Sequence, residues 1–368
     1  MTPDYMSEAL ALARRGTALA SPNPMVGVVI VRDGEVVGRG FHTWDGLRHA
    51  EIIALEEAGA LARGATAYVT LEPCSHTGRT GPCADALIAA GIARVVVASE
   101  DPNPLVAGQG LRRLRASAVQ VEMSPDHQHA AERLNEPFLH FMRMSRPLVT
   151  LKSALTLDGK IAAPEDNTGW ITSERARSHV QVLRHATDAM ITGIGTVLSD
   201  NPLLNDRSEL PRARPLLRVV MDSTLRIPIT SRLVQSAQGD LLVATTSAGS
   251  AERRKALEAR GVEVCVFDGP RGRVDILDVI SLIGKRRCLS VMIEAGSKVN
   301  WAALEANAVD KVFLYYAPKI LGGLESLPMA GGVGRMSRTD AIRLERTTLH
   351  PIPPDEFAVE AWIVRERR

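Results

Sequence analysis

The sequence has few cysteines, few aromatic residues and almost no net charge. Four cysteines in 368 residues are too few for a disulfide scaffold, so we expect a reducing, cytoplasmic environment. The formal net charge of +2 and the aromatic content of 4% argue against a protein that coats nucleic acid. No stretch approaches the roughly 18 consecutive apolar residues of a membrane helix. The N-terminus lacks the basic-then-apolar order of a signal peptide. We therefore expect neither a nucleic-acid nor a membrane partner.

The length predicts more than one domain. At about 100–200 residues per domain, 368 residues correspond to two or three domains. A helical pattern over Asp126–Met144 ends at Arg146-Pro147, and a strand-led series begins directly afterwards. We place the boundary there and predict domains over residues 1–145 and 146–368, both of the α/β class.

Helices and short apolar strands alternate in the first domain. An Asp-Gly turn at Asp33-Gly34 predicts a β-hairpin. The predicted strands are Met25–Val31, Val36–Gly40, Ala65–Leu71 and Arg94–Ser99, and the predicted helices are Tyr5–Leu19, His49–Ala62, Cys83–Ala90 and Asp126–Met144.

The second domain shows the same alternation with more strands. Charged helical segments over Thr172–His185 and Ser250–Arg260 separate them, and Thr172 or Ser173 is expected to cap the first of these helices. The predicted strands are Leu148–Ala154, Ala189–Thr192, Leu217–Met221, Asp240–Thr245, Val262–Phe267, Leu289–Ile293 and Lys311–Ala317.

One histidine and two cysteines in the first domain stand in an order that suits zinc. His49 opens a helix, Cys74 follows a strand in Glu72-Pro73-Cys74, and Cys83 opens another helix. Three protein ligands leave a fourth position for water, as in catalytic zinc sites. Glu51 lies in the same first turn as His49 and can reach such a water without binding the metal, as a general acid/base must.

Other roles for these residue types remain open at this point. Isolated cysteines are often small apolar packing residues, and we assign Cys265 and Cys288 to the core on that basis. A structural zinc protein without catalysis is a further alternative. The position of Glu51 and the presence of only three visible ligands weigh against it, because structural sites have four.

Two glycine-containing turns in the second domain lie between a strand and a helix. They are Gly193-Ile194-Gly195 and Glu294-Ala295-Gly296, and such turns expose backbone N–H groups that suit a phosphate. Each is weak evidence alone, because helix capping explains it equally well. The first lacks the third glycine of the dinucleotide fingerprint and a correctly placed acid, so a Rossmann domain fits poorly.

Together these motifs resemble a known family. His-x-Glu, then Pro-Cys and a second cysteine, is the pattern of zinc nucleobase deaminases, although here Ser75–Pro82 separate the cysteines. That insert resembles the bifunctional riboflavin-biosynthesis deaminase/reductase family. Further matching segments span nearly the whole chain: residues 21–27, 101–108, 152–162, 169–173, 200–202 and 294–296.

The resemblance implies the fold and the reactions. It implies a cytidine-deaminase-like three-layer domain followed by a dihydrofolate-reductase-like domain. The expected function is zinc-dependent deamination of 2,5-diamino-6-ribosylamino-4(3H)-pyrimidinone 5′-phosphate, then reduction of the ribosyl chain by NADPH. The expected cofactors are one Zn²⁺ per chain and NADPH, the partners are phosphorylated pyrimidines, and we expect a homo-oligomer. A nucleoside or tRNA-base deaminase with an unrelated C-terminal domain is the enzymatic alternative, and the near-neutral charge weighs against tRNA.

The resemblance also assigns residues to four groups. The zinc ligands would be His49, Cys74 and Cys83, with Glu51 as the catalytic acid/base. The deaminase substrate would contact Asn23, His42, His76, Arg79 and Asn103. The NADPH contacts would be Ala154, Trp170, Thr196, Asp200, Ser223, Gly296, Ser297, Lys298, Val299, Asn300, Trp301 and Ala302. The reductase substrate would contact Lys152, Thr168, Arg184, Leu204, Arg207 and Glu294.

Overall fold

The structure is a computed structural model that describes residues 3–46, 48–75, 81–102, 107–165 and 168–365. The chain divides into two compact units. Unit 1 comprises Met1–Arg146 and the short segment Pro211–Arg214, and unit 2 comprises Pro147–Leu210 and Pro215–Arg368.

Unit 1 alternates helices with short strands. Its strands are β1 (Gly27–Arg32), β2 (Glu35–Phe41), β3 (Thr66–Val69), β4 (Arg94–Val97) and β5 (Gln120–Met123). Its helices are α1 (Tyr5–Arg14), α2 (Ala50–Ala58), α3 (Cys83–Ala89), α4 (Gln109–Ala116), α5 (Pro125–Leu134) and α6 (Glu136–Met144), and a short 3-10 helix covers Gly59–Ala62.

One sheet with helices on both faces builds unit 1. The strand order is β2-β1-β3-β4-β5. The β1 strand pairs antiparallel with β2 and β3, whereas β3, β4 and β5 run parallel. Alternate residues of β1 point to opposite faces: Val28 and Ile30 pack with α2, α3 and α4, whereas Val29 and Val31 pack with α1 and α5. This is the three-layer arrangement that the family resemblance implied.

The predicted helix over 126–144 is two helices. Asn135 separates α5 from α6 and is buried. Its side-chain oxygen accepts from the N–H of Met25 at 2.7 Å, and its amide donates to the Met25 carbonyl at 2.8 Å. This pair of hydrogen bonds to a residue 110 positions away holds Asn135 at the break between the two helices. A local hydrophobic pattern in the sequence cannot reveal such a distant partner.

Unit 2 begins with a long buried strand. Its strands are β6 (Leu148–Thr156), β7 (Lys160–Ala162), β8 (Ala189–Gly193), β9 (Leu217–Met221), β10 (Leu241–Thr245), β11 (Glu263–Val266), β12 (Ser290–Ile293), β13 (Lys311–Ala317), β14 (Leu327–Pro328), β15 (Leu344–Ile352) and β16 (Glu356–Ile363). Its helices are α7 (Glu174–His185), α8 (Ile194–Asp200), α9 (Arg232–Gln235), α10 (Ala251–Glu258), α11 (Ile276–Lys285) and α12 (Ser297–Glu305), and a 3-10 turn covers Pro270–Gly272.

A nine-stranded sheet forms the centre of unit 2, in the order β11-β10-β9-β8-β12-β6-β13-β16-β15. The first seven strands in this order, from β11 through β10, β9, β8, β12 and β6 to β13, run parallel to one another. The last two, β16 and β15, extend the sheet with antiparallel pairing. Helices α11 and α12 cover one face, while α8, α9 and α10 pack on the other. All predicted strands of this unit are present. The hairpin of β15 and β16 was not predicted, because β15 is mostly exposed and lacks the apolar pattern of a buried strand.

Two local expectations have clear outcomes. The hydroxyl of Ser173, not Thr172, accepts from the N–H of Ala176 and caps α7. Cys288 is buried in the core as expected, whereas Cys265 is only half-buried at its edge.

Among the described helices, none combines the length and the apolar composition needed to cross a bilayer.

Candidate functional site

The three residues predicted to bind zinc come from three separate elements of unit 1. His49 is the residue before α2, Cys83 is the first residue of α3, and Cys74 lies in the loop that follows β3. Cys74 lies outside a helix, but its sulfur accepts a hydrogen bond from the N–H of Cys83 at 3.3 Å.

The ligand atoms of these residues are close enough for one metal ion. The Nδ1 atom of His49 lies 3.1 Å from Sγ of Cys83 and 3.5 Å from Sγ of Cys74. Tetrahedral coordination at Zn–N and Zn–S bond lengths places ligand atoms about 3.5 Å apart. Among the described residues, this is the one group of three histidine, cysteine or acidic side chains that could hold a metal. The site therefore fits zinc.

One of the three ligands, Cys74, has a pKa shift that favours its metal-binding form. Hydrogen bonds from Cys83 and His49 lower the pKa of the Cys74 thiol to about 4, although burial opposes this. The bond to Cys74 raises the pKa of Cys83, and the bond between Cys74 and His49 raises that of His49. One thiolate is thus already stabilised, and thiolates are the form of cysteine that binds metals.

Glu51 lies beside the ligands in the first turn of α2 and is 4% exposed. Burial, followed by the charge of Cys74, raises the pKa of Glu51 to about 7. A carboxyl group that gains and loses a proton near neutral pH suits general acid/base catalysis.

Two of the predicted deaminase substrate contacts adjoin this cluster. The ring of His42 lies 5.4 Å from that of His49. Its Nδ1 lies 2.8 Å from the carbonyl oxygen of Arg48, and its Nε2 lies 2.9 Å from the amide nitrogen of Asn23. Since a carbonyl only accepts and an amide nitrogen donates, His42 is neutral with its proton on Nδ1. Burial lowers the pKa of His42 and keeps it neutral. The other predicted contacts, His76, Arg79 and Asn103, lie outside the described residues.

Glu72 is a buried carboxylate whose role the sequence did not reveal. It accepts hydrogen bonds from the backbone N–H groups of Asp101, Gly108 and Gly110, at 3.2, 2.9 and 2.9 Å. One side chain thus ties the segment that leads to Cys74 to the start of α4. From the sequence alone, an acidic residue after a strand does not indicate that its hydrogen-bond partner lies 38 residues further along the chain.

Three predicted reductase substrate contacts form an ion cluster in unit 2. Glu294 follows β12, Lys152 lies on β6 and Arg184 lies on α7. The Lys152 Nζ lies 3.1 Å from the Glu294 carboxylate, and Arg184 donates to both Glu294 oxygens at 2.9 to 3.1 Å. Burial alone would raise the pKa of Glu294, but the charges of Lys152 and Arg184 lower it to about 2.

The remaining predicted substrate contacts lie around this cluster or at the surface. Arg184 also donates to the carbonyl of Asn205 at 3.0 Å, and the preceding residue, Leu204, is buried among apolar side chains such as Ile194 and Val197. The backbone N–H of Arg207 donates to Gln181 on α7, and the Arg207 side chain is exposed. Thr168 is exposed.

Several predicted NADPH contacts lie at the carboxyl edge of the nine-stranded sheet. Ala154 lies near the end of β6, Gly296 precedes α12, Thr196 lies in the first turn of α8, and Ser223 follows β9. A Cβ built on Gly296 would lie 3.7 Å from Oγ1 of Thr196, so these two positions adjoin. Ligands of open α/β sheets bind at the carboxyl edge, so this part of the molecule fits a dinucleotide.

Other predicted NADPH contacts have different surroundings. Ser297 and Asn300 are buried and donate to the carbonyls of Pro328 and Met329. Val299 packs against Gly193, and a Cβ on Gly332 would collide with Trp301. Lys298, Ala302 and Asp200 are exposed. The exposed Trp170 stacks under Arg177 at 4.9 Å.

Known protein families match both parts of the chain. Residues 147–355 match the RibD C-terminal domain, and residues 2–99 match the cytidine and deoxycytidylate deaminase zinc-binding region. The riboflavin biosynthesis protein RibD of Actinobacillus pleuropneumoniae is 42% identical over 96% of this chain and 93% of its own length. The corresponding protein of Escherichia coli K12 is 42% identical over 95% and 96%.

The chain belongs to the RibD family. Among solved structures, Acinetobacter baumannii RibD superimposes with a TM-score of 0.85 at 35% identity, covering 98% of both chains. The Thermotoga maritima diaminohydroxyphosphoribosylaminopyrimidine deaminase/5-amino-6-(5-phosphoribosylamino)uracil reductase gives 0.82 at 32% identity and the same coverage. This RibD-family chain is a bifunctional deaminase and reductase of riboflavin biosynthesis, with zinc and NADPH as cofactors.

Proposed function

We propose that the two activities are divided between the two parts of the chain. Residues 1–145 form the zinc-dependent pyrimidine deaminase domain, and residues 146–368 form the NADPH-dependent reductase domain. The position of the His49, Cys74 and Cys83 cluster in unit 1 supports the first assignment. The Glu294 cluster at the carboxyl edge of the unit 2 sheet supports the second.

His49, Cys74 and Cys83 would hold the zinc, which supplies a Lewis acid that makes water nucleophilic near neutral pH. Glu51 removes a proton from the attacking water. Glu51 gives that proton to the pyrimidine ring nitrogen. It then takes the remaining proton from the added hydroxyl and passes it to the departing amine, so that the C–NH2 bond is replaced by C=O and ammonia leaves. Its burial and its pKa of about 7 suit both directions of transfer.

Asn23 and His42 would orient the pyrimidine beside this centre. The hydrogen bond between them fixes the neutral tautomer of His42 and holds the Asn23 amide in place. Amide and imidazole groups can read the polar edge of a base. His76, Arg79 and Asn103 complete the proposed contacts, and the charge of Arg79 suits the ribose phosphate.

The reductase substrate would bind at Lys152, Thr168, Arg184, Leu204, Arg207 and Glu294. NADPH supplies a hydride for C1 of the opened ribosyl chain. Glu294 holds the Lys152 ammonium and the Arg184 guanidinium together, so that two cations face one substrate at fixed positions. Such preorganised charges bind a phosphorylated sugar without a broadly basic surface.

The proposed substrate is 2,5-diamino-6-ribosylamino-4(3H)-pyrimidinone 5′-phosphate, deaminated first and reduced second. We also propose a homo-oligomer that acts in the cytoplasm on small phosphorylated pyrimidines. The low cysteine count supports the reducing compartment.

The observation that carries the deaminase assignment is the buried Glu51 beside three converging ligand atoms. The test supplies the diamino substrate to the purified full chain and follows ammonia release and NADPH oxidation separately. We expect ammonia without NADPH, and NADPH oxidation only after deamination. NADPH oxidation with undeaminated substrate at the same rate would contradict the proposed order.

A further inference from the structure

The segment after α8 carries two of the proposed reductase substrate contacts. Residues 201–210 form neither a helix nor a strand. Leu204 in this segment has a φ of 50°, a left-handed conformation that a leucine rarely adopts. Such a conformation persists only where surrounding contacts hold it, and it often marks a functional segment. The contacts that hold residues 205–208 therefore bear on how the substrate is bound.

Arg207 is the exposed cation of this segment. Within the ranges that the structure describes, its guanidinium has no hydrogen-bond or ion-pair partner. Arg184, by contrast, already donates to both oxygens of Glu294 and to the carbonyl of Asn205. The Arg207 side chain is thus available to a ligand. A long side chain binds a ligand well only if its backbone is already fixed, because ordering it on binding costs conformational entropy.

One face of α7 fixes the backbone next to Arg207. Gln181, Arg184 and His185 are spaced i, i+3 and i+4 along the helix, so their side chains share one face. The side-chain oxygen of Gln181 accepts from the backbone N–H of Arg207 at 3.1 Å. Arg184 donates to the carbonyl of Asn205 at 3.0 Å. The helix that carries Arg184 therefore also holds the chain at positions 205 and 207.

His185 holds the position between them through a buried pair. Its Nδ1 lies 2.8 Å from Oδ2 of Asp206, and both side chains are 7% exposed. The other carboxylate oxygen, Oδ1, accepts from the N–H of Ser208 at 2.9 Å, which closes a turn with Arg207 at its centre. Burial alone would raise the pKa of Asp206, but hydrogen bonds from Ser208 and His185 lower it, so that the carboxylate is charged. Charge-assisted hydrogen bonds of this kind are about twice as strong as neutral ones.

We propose that His185 and Asp206 are positioning residues of the reductase. Their buried pair anchors the turn around Arg207 to α7 and so sets where the Arg207 guanidinium meets the substrate. This inference rests on the proposed function, in which Arg207 contacts the reductase substrate. It goes further by naming the two residues that act through Arg207 without touching the substrate themselves.

The test follows NADPH oxidation by the full chain with deaminated substrate and determines KM and kcat. Arg207→Ala should raise KM about tenfold and leave kcat within about twofold, because a contact made equally in the ground state and the transition state changes KM alone. His185→Leu removes the donor to Asp206 at a similar volume and should raise KM about fivefold. In the Arg207→Ala background it should add no further rise, since Arg207 is the group through which His185 acts.

Two further variants separate positioning from a folding defect. His185→Asn places an amide N–H near the position of Nδ1 and should return KM to within about twofold of the wild type. Asp206→Asn keeps the side-chain volume but leaves either His185 or the Ser208 N–H without its acceptor, so it should raise KM as His185→Leu does. In both variants that raise KM, the dissociation constant of NADPH should equal that of the wild type, which shows that unit 2 is folded.

His127→Leu is the matched control. His127 pairs with Asp4 at 3.1 Å in unit 1, in a more exposed histidine–aspartate contact, and its loss should change neither kinetic constant of the reductase. The inference is overturned, and the proposed function stands, if KM is unchanged in His185→Leu and Asp206→Asn, or if their effect persists in full in the Arg207→Ala background. An unchanged KM in Arg207→Ala overturns both the substrate contact in the proposed function and this inference.

Discussion

Gly110 lies directly against Pro73, and a Cβ built on Gly110 would sit 1.9 Å from the Pro73 carbonyl oxygen. The same glycine donates its N–H to Glu72 at 2.9 Å. The first turn of α4 is therefore packed against the segment that ends in Cys74, with no space for a side chain between them.

Gly110→Ala should therefore displace Pro73 and the adjacent Cys74. We expect a lower zinc content and a loss of stability of about 1–3 kcal/mol, the usual range for overpacking. Gly195→Ala is the control, because a Cβ there meets nothing within 4 Å. Zinc analysis and thermal unfolding check this, and full zinc occupancy with an unchanged melting temperature would contradict the packing argument.

Glu51→Gln should retain zinc and lose ammonia release. The amide preserves the shape of the side chain but cannot carry the proton, and general acid/base groups contribute about 10²–10⁴-fold to rates. The measurement combines zinc content with ammonia release by the full chain. NADPH oxidation with deaminated substrate should be unaffected, which separates this defect from misfolding. A deamination rate equal to that of the wild type would remove Glu51 from the mechanism.

Three of the four cysteines should divide into two classes. Cys74→Ala and Cys83→Ala should each abolish stoichiometric zinc binding, because each removes one of three converging ligands. Cys265→Ala should keep the metal. This thiol is half-buried in β11, and burial, followed by Glu263, raises its pKa to about 11, far from the thiolate form. NADPH titration of the zinc-free variants should match the wild type. Zinc retained at full occupancy in Cys83→Ala would show that the cluster is not the metal site.

Glu294→Gln should destabilise unit 2 because it leaves Lys152 and Arg184 without their shared counter-charge. Removing one partner of a buried ion pair costs about 3 kcal/mol or more. The folded-state pKa of Glu294, about 2, lies below its ordinary value of 4.5. Its contribution is therefore complete above pH 4.5 and is lost as the pH falls towards 2. Calorimetric unfolding should show the stability difference between wild type and variant shrinking over this interval. A difference that is constant with pH would contradict the pairing.

Local patterns predicted the elements that hold the zinc cluster. The hairpin of β1 and β2 was predicted from Asp33-Gly34 between two apolar runs, and the starts of α2 and α3 follow from the residues around His49 and Cys83. These features depend on a few neighbouring residues, so the sequence displays them directly.

Contacts between distant residues could not be predicted in the same way. The break at Asn135 depends on Met25, and the role of Glu72 depends on Gly108 and Gly110. The hairpin of β15 and β16 also escaped prediction, since an exposed edge strand has no apolar face to mark it. In each case, either the residue that determines the structure lies far along the chain, or the segment lacks the apolar pattern from which a strand is predicted.

The position of β6 has a consequence for synthesis of the chain. It is the first strand of unit 2, yet it hydrogen-bonds to β12 and β13, whose residues begin at Ser290 and Lys311. On the ribosome, more than a hundred further residues must be translated before either neighbouring strand exists, and such long-range parallel pairing is slow. Until then the apolar side chains of β6 have no neighbouring strands to pack with, and such transiently exposed surface is prone to aggregation.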